Sequence, residues 1–85
     1  MAEELVGSIT HYFAKPEVGV VKLVADIEIG DVLHIRGHTT DVEQEITSME
    51  VDHAAVETAA KGTEVAFKVK DRVRKGDEVY KVTPD

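Results

Sequence analysis

The chain has 85 residues, no cysteine and a formal net charge of −7. That length allows one domain with a modest core, which removes roughly 60–65% of the unfolded surface from water, and it excludes a typical two-domain enzyme. Without cysteine there is neither a disulfide framework nor a thiolate zinc site, and the acidic start and short apolar runs offer no signal peptide or spanning helix, so a cytoplasmic protein is expected.

Residues 5–13 alternate Leu5, Gly7, Ile9, His11 and Phe13 with Val6, Ser8, Thr10 and Tyr12, the period of a strand. Pro16 breaks the run, because it lacks the donor a central ladder needs. Residues 18–24 are apolar on both faces. Either they lie in a covered part of the sheet, or an outer face carrying Val18, Val20 and Lys22 waits for a partner.

A turn over residues 26–31 ends in Gly30-Asp31 and launches the strand 32–36, followed by a polar loop at 37–41. From Val42 and Ile46 to Met49 and Val51 the apolar parity slips near Thr47-Ser48, as a bulge or barrel corner would require. Residues 52–62 are the only helical signal, with Asp52 as cap and Gly62 as stop. Clean alternation returns at residues 64–69, with Val65, Phe67 and Val69 on one face. A second Gly-Asp, at Gly76-Asp77, then opens the last strand at 78–83, and Pro84-Asp85 ends the domain. Glycine tolerates positive φ and aspartate bonds nearby backbone, so each Gly-Asp predicts a turn that starts a strand. Six short strands without a linker indicate an all-β barrel or sandwich spanning residues 1–85.

Charge is unevenly placed. Three bases face twelve acids up to residue 60, whereas residues 61–82 carry seven bases against four acids. The total argues against a general nucleic-acid coat and against binding an anionic membrane. The basic residues nonetheless form a row: Lys68, Lys70, Arg72 and Arg74 share one parity, followed by Lys75. On a regular strand four such positions make a stripe about 20 Å long, suited to a phosphate backbone or an acidic protein surface. The plainer reading is a solvated outer face, partly neutralised by Asp41, Glu43 and Glu45. No aromatic residue interleaves with the row to stack bases.

Other chemistries have weaker signals. His34 and His38 stand four apart, with His11 and His53 elsewhere, but a strand and a glycine intervene and no metal site is expected. Ser8 and Ser48 lie on no nucleophile elbow, and no glycine-rich phosphate loop precedes a Lys-Ser/Thr pair. Lys-Gly-Asp turns occur in lipoyl and biotinyl carriers, yet Glu50 stands where a carrier would have its reactive lysine. An enzyme is not expected.

The succession Pro16-x-Val18-Gly19-Val20-Val21, Ile27-x-Ile29-Gly30-Asp31-x-Leu33-x-Ile35, Ser48-Met49-Glu50, Ala59-x-x-Gly62-x-x-Val65 and Arg74-Lys75-Gly76-Asp77 resembles the second, β-barrel domain of translational GTPases such as elongation factor Tu. The stretch from Val6-Gly7-x-Ile9-x-His11-Tyr12 through Gly30-Asp31 is more similar to the small C-terminal barrel of collagenase-like peptidase family proteins. The resemblance implies an all-β, closed six- to seven-stranded antiparallel barrel of the elongation factor domain 2 type. It also favours an extended segment with a turn over a helix at residues 53–61. At Glu17-Val18 the chain departs from the Gly-Arg usual in the factors, which removes a positive charge near their partner contacts.

The expected function is a non-catalytic binding module associated with translation or RNA modification. Lys68, Lys70, Arg72, Arg74 and Lys75 would contact tRNA, rRNA or a ribosome-associated protein. The alternative is a protein–protein adaptor using Val18, Val20 and Lys22 with no nucleic-acid contact. No cofactor, metal or bound nucleotide is expected, and no membrane partner.

Overall fold

In the computed structural model, which describes residues 2–83, both Gly-Asp sequences form turns with the same bonds. The Asp31 amide donates to the Glu28 carbonyl at 3.1 Å, and the Asp31 carboxylate accepts from the Glu28 amide at 2.9 Å. Asp77 treats Arg74 in the same way, at 3.0 and 2.8 Å. Gly30 and Gly76 sit between these partners at φ 98° and 95°, where a side chain would be strained. Gly62, at φ 91°, serves a third turn that brings the Thr63 amide to the Ala60 carbonyl.

The strands are β1 (Ala2–Phe13), β2 (Val18–Leu23), β3 (Ile27–Glu28), β4 (Val32–Arg36), β5 (Asp41–Glu45), β6 (Met49–Val51), β7 (Ala54–Val56), β8 (Thr58–Ala59), β9 (Glu64–Lys68) and β10 (Glu78–Thr83). Eight of them form one antiparallel sheet in the order β5-β4-β10-β1-β2-β9-β6-β7, and β3 pairs with β8 apart from it. The described residues contain no helix. The Pro84-Asp85 end expected after β10 lies outside them.

β1 pairs with β10 along its first half and with β2 along its second, and the register shifts between Leu5 and Gly7 and again between Ile9 and His11. Each shift changes the parity that faces inward. Val6 and Ile9 are therefore buried and Tyr12 packs against them, while Leu5 and Phe13 are 43% and 51% exposed. The strand expected at residues 5–13 is present, but neither of its two alternating sets is wholly inward. At Gly7 the strands cross so closely that a Cβ would lie 2.5 Å from the Lys22 carbonyl oxygen.

The core gathers Val21 and Leu23 of β2, Leu33 and Ile35 of β4, Val42 of β5, Met49 of β6, Val65 and Phe67 of β9 and Val79 of β10, with Val69 and Val73 from the segment after β9. Each fully buried side chain of this size contributes about 1.5–3 kcal/mol through removal from water. Gly19 admits Val69 and Val73, whose methyl carbons would stand 3.4 Å from a Cβ there.

The sheet is not closed into a barrel by main-chain pairing, as the six- to seven-stranded expectation required: β5 and β7 stand at its two ends. A side chain of β5 reaches the end of β9 instead. The Gln44 amide donates to the Lys68 carbonyl at 2.8 Å and accepts from the Lys70 amide at 2.9 Å. One carboxamide thus supplies to the end of β9 the donor and acceptor that a neighbouring strand would have offered.

The helical expectation at residues 52–62 also fails. β6 and β7 form a hairpin whose last pair is Val51 with Ala54, so Asp52 and His53 are its two-residue turn, at φ 52° and 65°. Both central residues at positive φ match the twist of the strands, and Asp and His accept that conformation more readily than most residues.

Candidate nucleic-acid interface

The basic segment begins as a strand and ends as a turn. Lys68 closes β9 opposite Val18, and residues 69–75 continue irregularly to the Gly76-Asp77 turn. The regular stripe expected from the sequence is therefore bent beyond Lys68. Its inward anchors are Val69 and Val73, both 1% exposed, and the chain between them bows outward. Lys68, Lys70, Arg72, Arg74 and Lys75 are all exposed.

The backbone beneath these bases is tied at both ends. The Val69 amide donates to the Glu17 carbonyl at 2.9 Å, and Gln44 holds Lys68 and Lys70. Farther on, the Arg74 amide is held by the Asp77 carboxylate, and the Gly76 amide donates to the Ile9 carbonyl at 2.8 Å. Asp77 is itself 6% exposed. The loop therefore presents long cationic side chains from a positioned main chain.

Of the acids expected to neutralise the row, Asp41 is engaged by His34, whereas Glu45 lies in a hollow beside two of the bases. Asp41 bonds His34 Nε2, while Glu3 takes His34 Nδ1 at 2.7 Å and lies 3.7 Å from Arg36. Arg36 also covers the Tyr80 ring, 4.4 Å from its centroid. Glu17 and Glu45 share an open hollow of about 410 Å³ with Lys68 and Lys70. Among the described residues no ion pair involves Lys68, Lys70, Arg72, Arg74 or Lys75. Acidic side chains collect instead around β3 and β8, where Asp26, Glu28 and Asp31 line one hollow and Glu28 and Glu57 another.

The alternative interface falls on the outer face of β2. Val18 and Val20 are half-buried and Lys22 is exposed, with its ammonium 3.0 Å from the Gly62 carbonyl. Leu23, in contrast, is 1% exposed and belongs to the core. The residues 18–24 are thus partly covered and partly open, which joins the two readings that the sequence kept separate.

His34 is the one histidine held by carboxylates on both ring nitrogens, and the hydrogen bond it makes to Asp41, followed by that to Glu3, raises its pKa. With both nitrogens engaged it has no position from which to activate a serine. Among the described residues no group of three or more His, Asp or Glu side chains is arranged to hold a metal ion. His11 stacks on Phe13, with ring centroids 6.2 Å apart and planes at 25°. That pair, the Gln44 bridge and the His34 clamp were missed in the sequence; only the i, i+2 placement of His11 and Phe13 gave a usable signal.

No protein-family model matches the chain. It is 40% identical over 76 residues to an uncharacterized protease of Methanocaldococcus jannaschii, a match that covers 88% of this chain and 19% of that protein. The chain therefore spans about a fifth of the length of the curated relative it matches. The crystal structure of the C-terminal domain of a Geobacillus thermoleovorans protein, assigned provisionally as a U32 peptidase, superposes with a TM-score of 0.87 at 19% identity, covering 94% of this chain and 93% of that one. This chain has the fold of that C-terminal domain. Its selenomethionine variant superposes with a TM-score of 0.85 at 19% identity, covering 89% and 96%. These neighbours match the collagenase-like peptidase part of the resemblance. No helix among the described residues is long and apolar enough to cross a membrane.

Proposed function

We propose that this chain is a non-catalytic binding module that engages RNA through Lys68, Lys70, Arg72, Arg74 and Lys75, in the setting of translation or RNA modification in the cytoplasm. The observation that carries the reading is a run of five exposed bases, without ion pairs among the described residues, on a backbone tied down at both ends. Bases that have no ion pair to break, even with Glu17 and Glu45 in the hollow beside Lys68 and Lys70, gain from the counterions that a phosphate backbone releases on contact. The likeness of the turns to the second barrel of translational GTPases supports the same reading, with tRNA or rRNA as the polyanion. A match to about a fifth of a longer protein supports a module that serves an activity located elsewhere.

The net charge of −7 makes binding local and salt-sensitive. Four neutralised phosphates on single-stranded RNA give a log–log salt slope of about −3, so a fourfold rise in salt weakens binding roughly 50-fold. Charge reversal at Lys68 and Lys70 together lowers affinity at low salt and flattens that slope, as fluorescence anisotropy with labelled tRNA measures. An unchanged slope in the Lys68→Glu, Lys70→Glu variant contradicts the reading.

A protein adaptor is the second reading, favoured by the half-buried Val18 and Val20 beside the exposed Phe13. It expects partners, a ribosome-associated protein among them, that persist after nuclease treatment and are lost on Val20→Asp. Retention of every such partner by that variant removes this alternative.

A further inference from the structure

The register of three strands assembles a surface that the basic segment alone does not describe. Phe13 of β1 is paired with Val18 of β2, and Val18 with Lys68 of β9. The next row runs His11, Val20, Ala66 and then Glu50 of β6. Directly paired residues of antiparallel strands project to the same face. Phe13, Val18 and Lys68 thus stand side by side outside the core, with the His11 ring stacked along Phe13.

We propose that this face is a stacking platform for unpaired RNA bases, in which Phe13 and His11 receive the bases and Lys68 and Lys70 their phosphates. The proposal rests on the RNA reading above and names its substrate as single-stranded. Two aromatic side chains at i and i+2 on an outward strand face offer π-surfaces to successive bases, and such stacking is tolerant of sequence. Phe13 is 51% exposed, so its ring is open to a ligand. Val18 and Val20 form a low apolar floor beside it, and water leaves that floor when a base covers it. Strands lie about 4.8 Å apart, which puts Phe13 and Lys68 roughly 10 Å apart at their Cα atoms, a span that one nucleotide covers from base to phosphate when the lysine extends. Glu50 at the far end of the second row repels phosphate, and Glu17 and Glu45 repel it from the hollow they share with Lys68 and Lys70, so the RNA backbone is confined to the Phe13–Lys68 row outside that hollow. A duplex, whose bases are already stacked and inaccessible, gains only the phosphate contacts.

The test compares a short oligouridylate with an RNA duplex of the same length, using the full chain and its Phe13→Tyr, Phe13→Leu and Phe13→Trp variants. Phe13→Leu keeps apolar bulk without a π-face and weakens single-strand binding about fivefold or more, with duplex binding unchanged, whereas Phe13→Tyr binds like the parent. The parent has no tryptophan, so Phe13→Trp carries a single indole whose fluorescence is quenched on adding the oligouridylate. Parent-like oligouridylate binding by Phe13→Leu, alongside loss in Lys68→Glu, Lys70→Glu, overturns the platform and leaves the RNA reading standing. No binding of either RNA by the parent at low salt overturns both.

Discussion

His34 sits between two carboxylates that belong to different strands, Glu3 of β1 and Asp41 of β5, so its charge state reports directly on how three strands are held. Protonated, it donates to both; neutral, it donates to only one. Because the folded chain raises its pKa above the ordinary 6.5, the stabilisation is complete below that value and is lost as the pH rises through the folded value. The stability gap between the parent and His34→Gln, read from urea denaturation, is therefore larger at mildly acidic pH than at mildly alkaline pH; a gap that grows with pH contradicts the clamp. Gly37 tests a second contact. A Cβ there would collide with the Asp77 carboxylate that also holds the Arg74 amide. Gly37→Ala is expected to cost about 2 kcal/mol or more, measured by the same denaturation. At this scale the sequence was legible where chemistry is local: Gly30-Asp31 and Gly76-Asp77 make the predicted turns with their own neighbours. It was silent on Glu3–His34–Asp41, whose partners are 31 and seven residues apart and meet only through strand register.

The elements show where periodicity alone misleads. β1 reads as a simple alternation, yet two register shifts turn Val6, Ile9 and Tyr12 inward at a spacing of three. Residues 52–62 read as a helix from a cap at Asp52 and a stop at Gly62, but of that segment only Ala59 is buried and Val56 half-buried, three residues apart on two different strands, so no helical stripe forms and Asp52-His53 makes the hairpin turn instead. The open ends of the sheet are the other surprise. β5 carries acids at Asp41, Glu43 and Glu45, which discourage edge pairing, while Gln44 between them reaches the end of β9. Gln44→Ala removes two hydrogen bonds and is expected to lower stability by about 1–2 kcal/mol. Hydrogen exchange of the Lys70 amide then quickens more than that of Val65 or Val21. Equal protection of Lys70 in parent and variant contradicts the bridge.

Over the whole molecule, fold and charge divide the surface. Acids surround β3 and β8 and line the β5 edge, whereas the bases follow β9 into the loop that leads to β10. The compositional shift at residue 60 was visible in the sequence, because charge needs no pairing partner to be counted. The bend after Lys68 and the aromatic pair beside it were not, since both depend on which strand lies next to which. On the proposed function, a polyanion meets residues 68–75. Amide chemical-shift titration of isotopically labelled protein with tRNA tests it most directly. At low salt the account predicts shifts concentrated on Lys68, Lys70, Arg72, Arg74 and Lys75 that disappear as salt is raised. Unshifted amides along this segment at low salt contradict it.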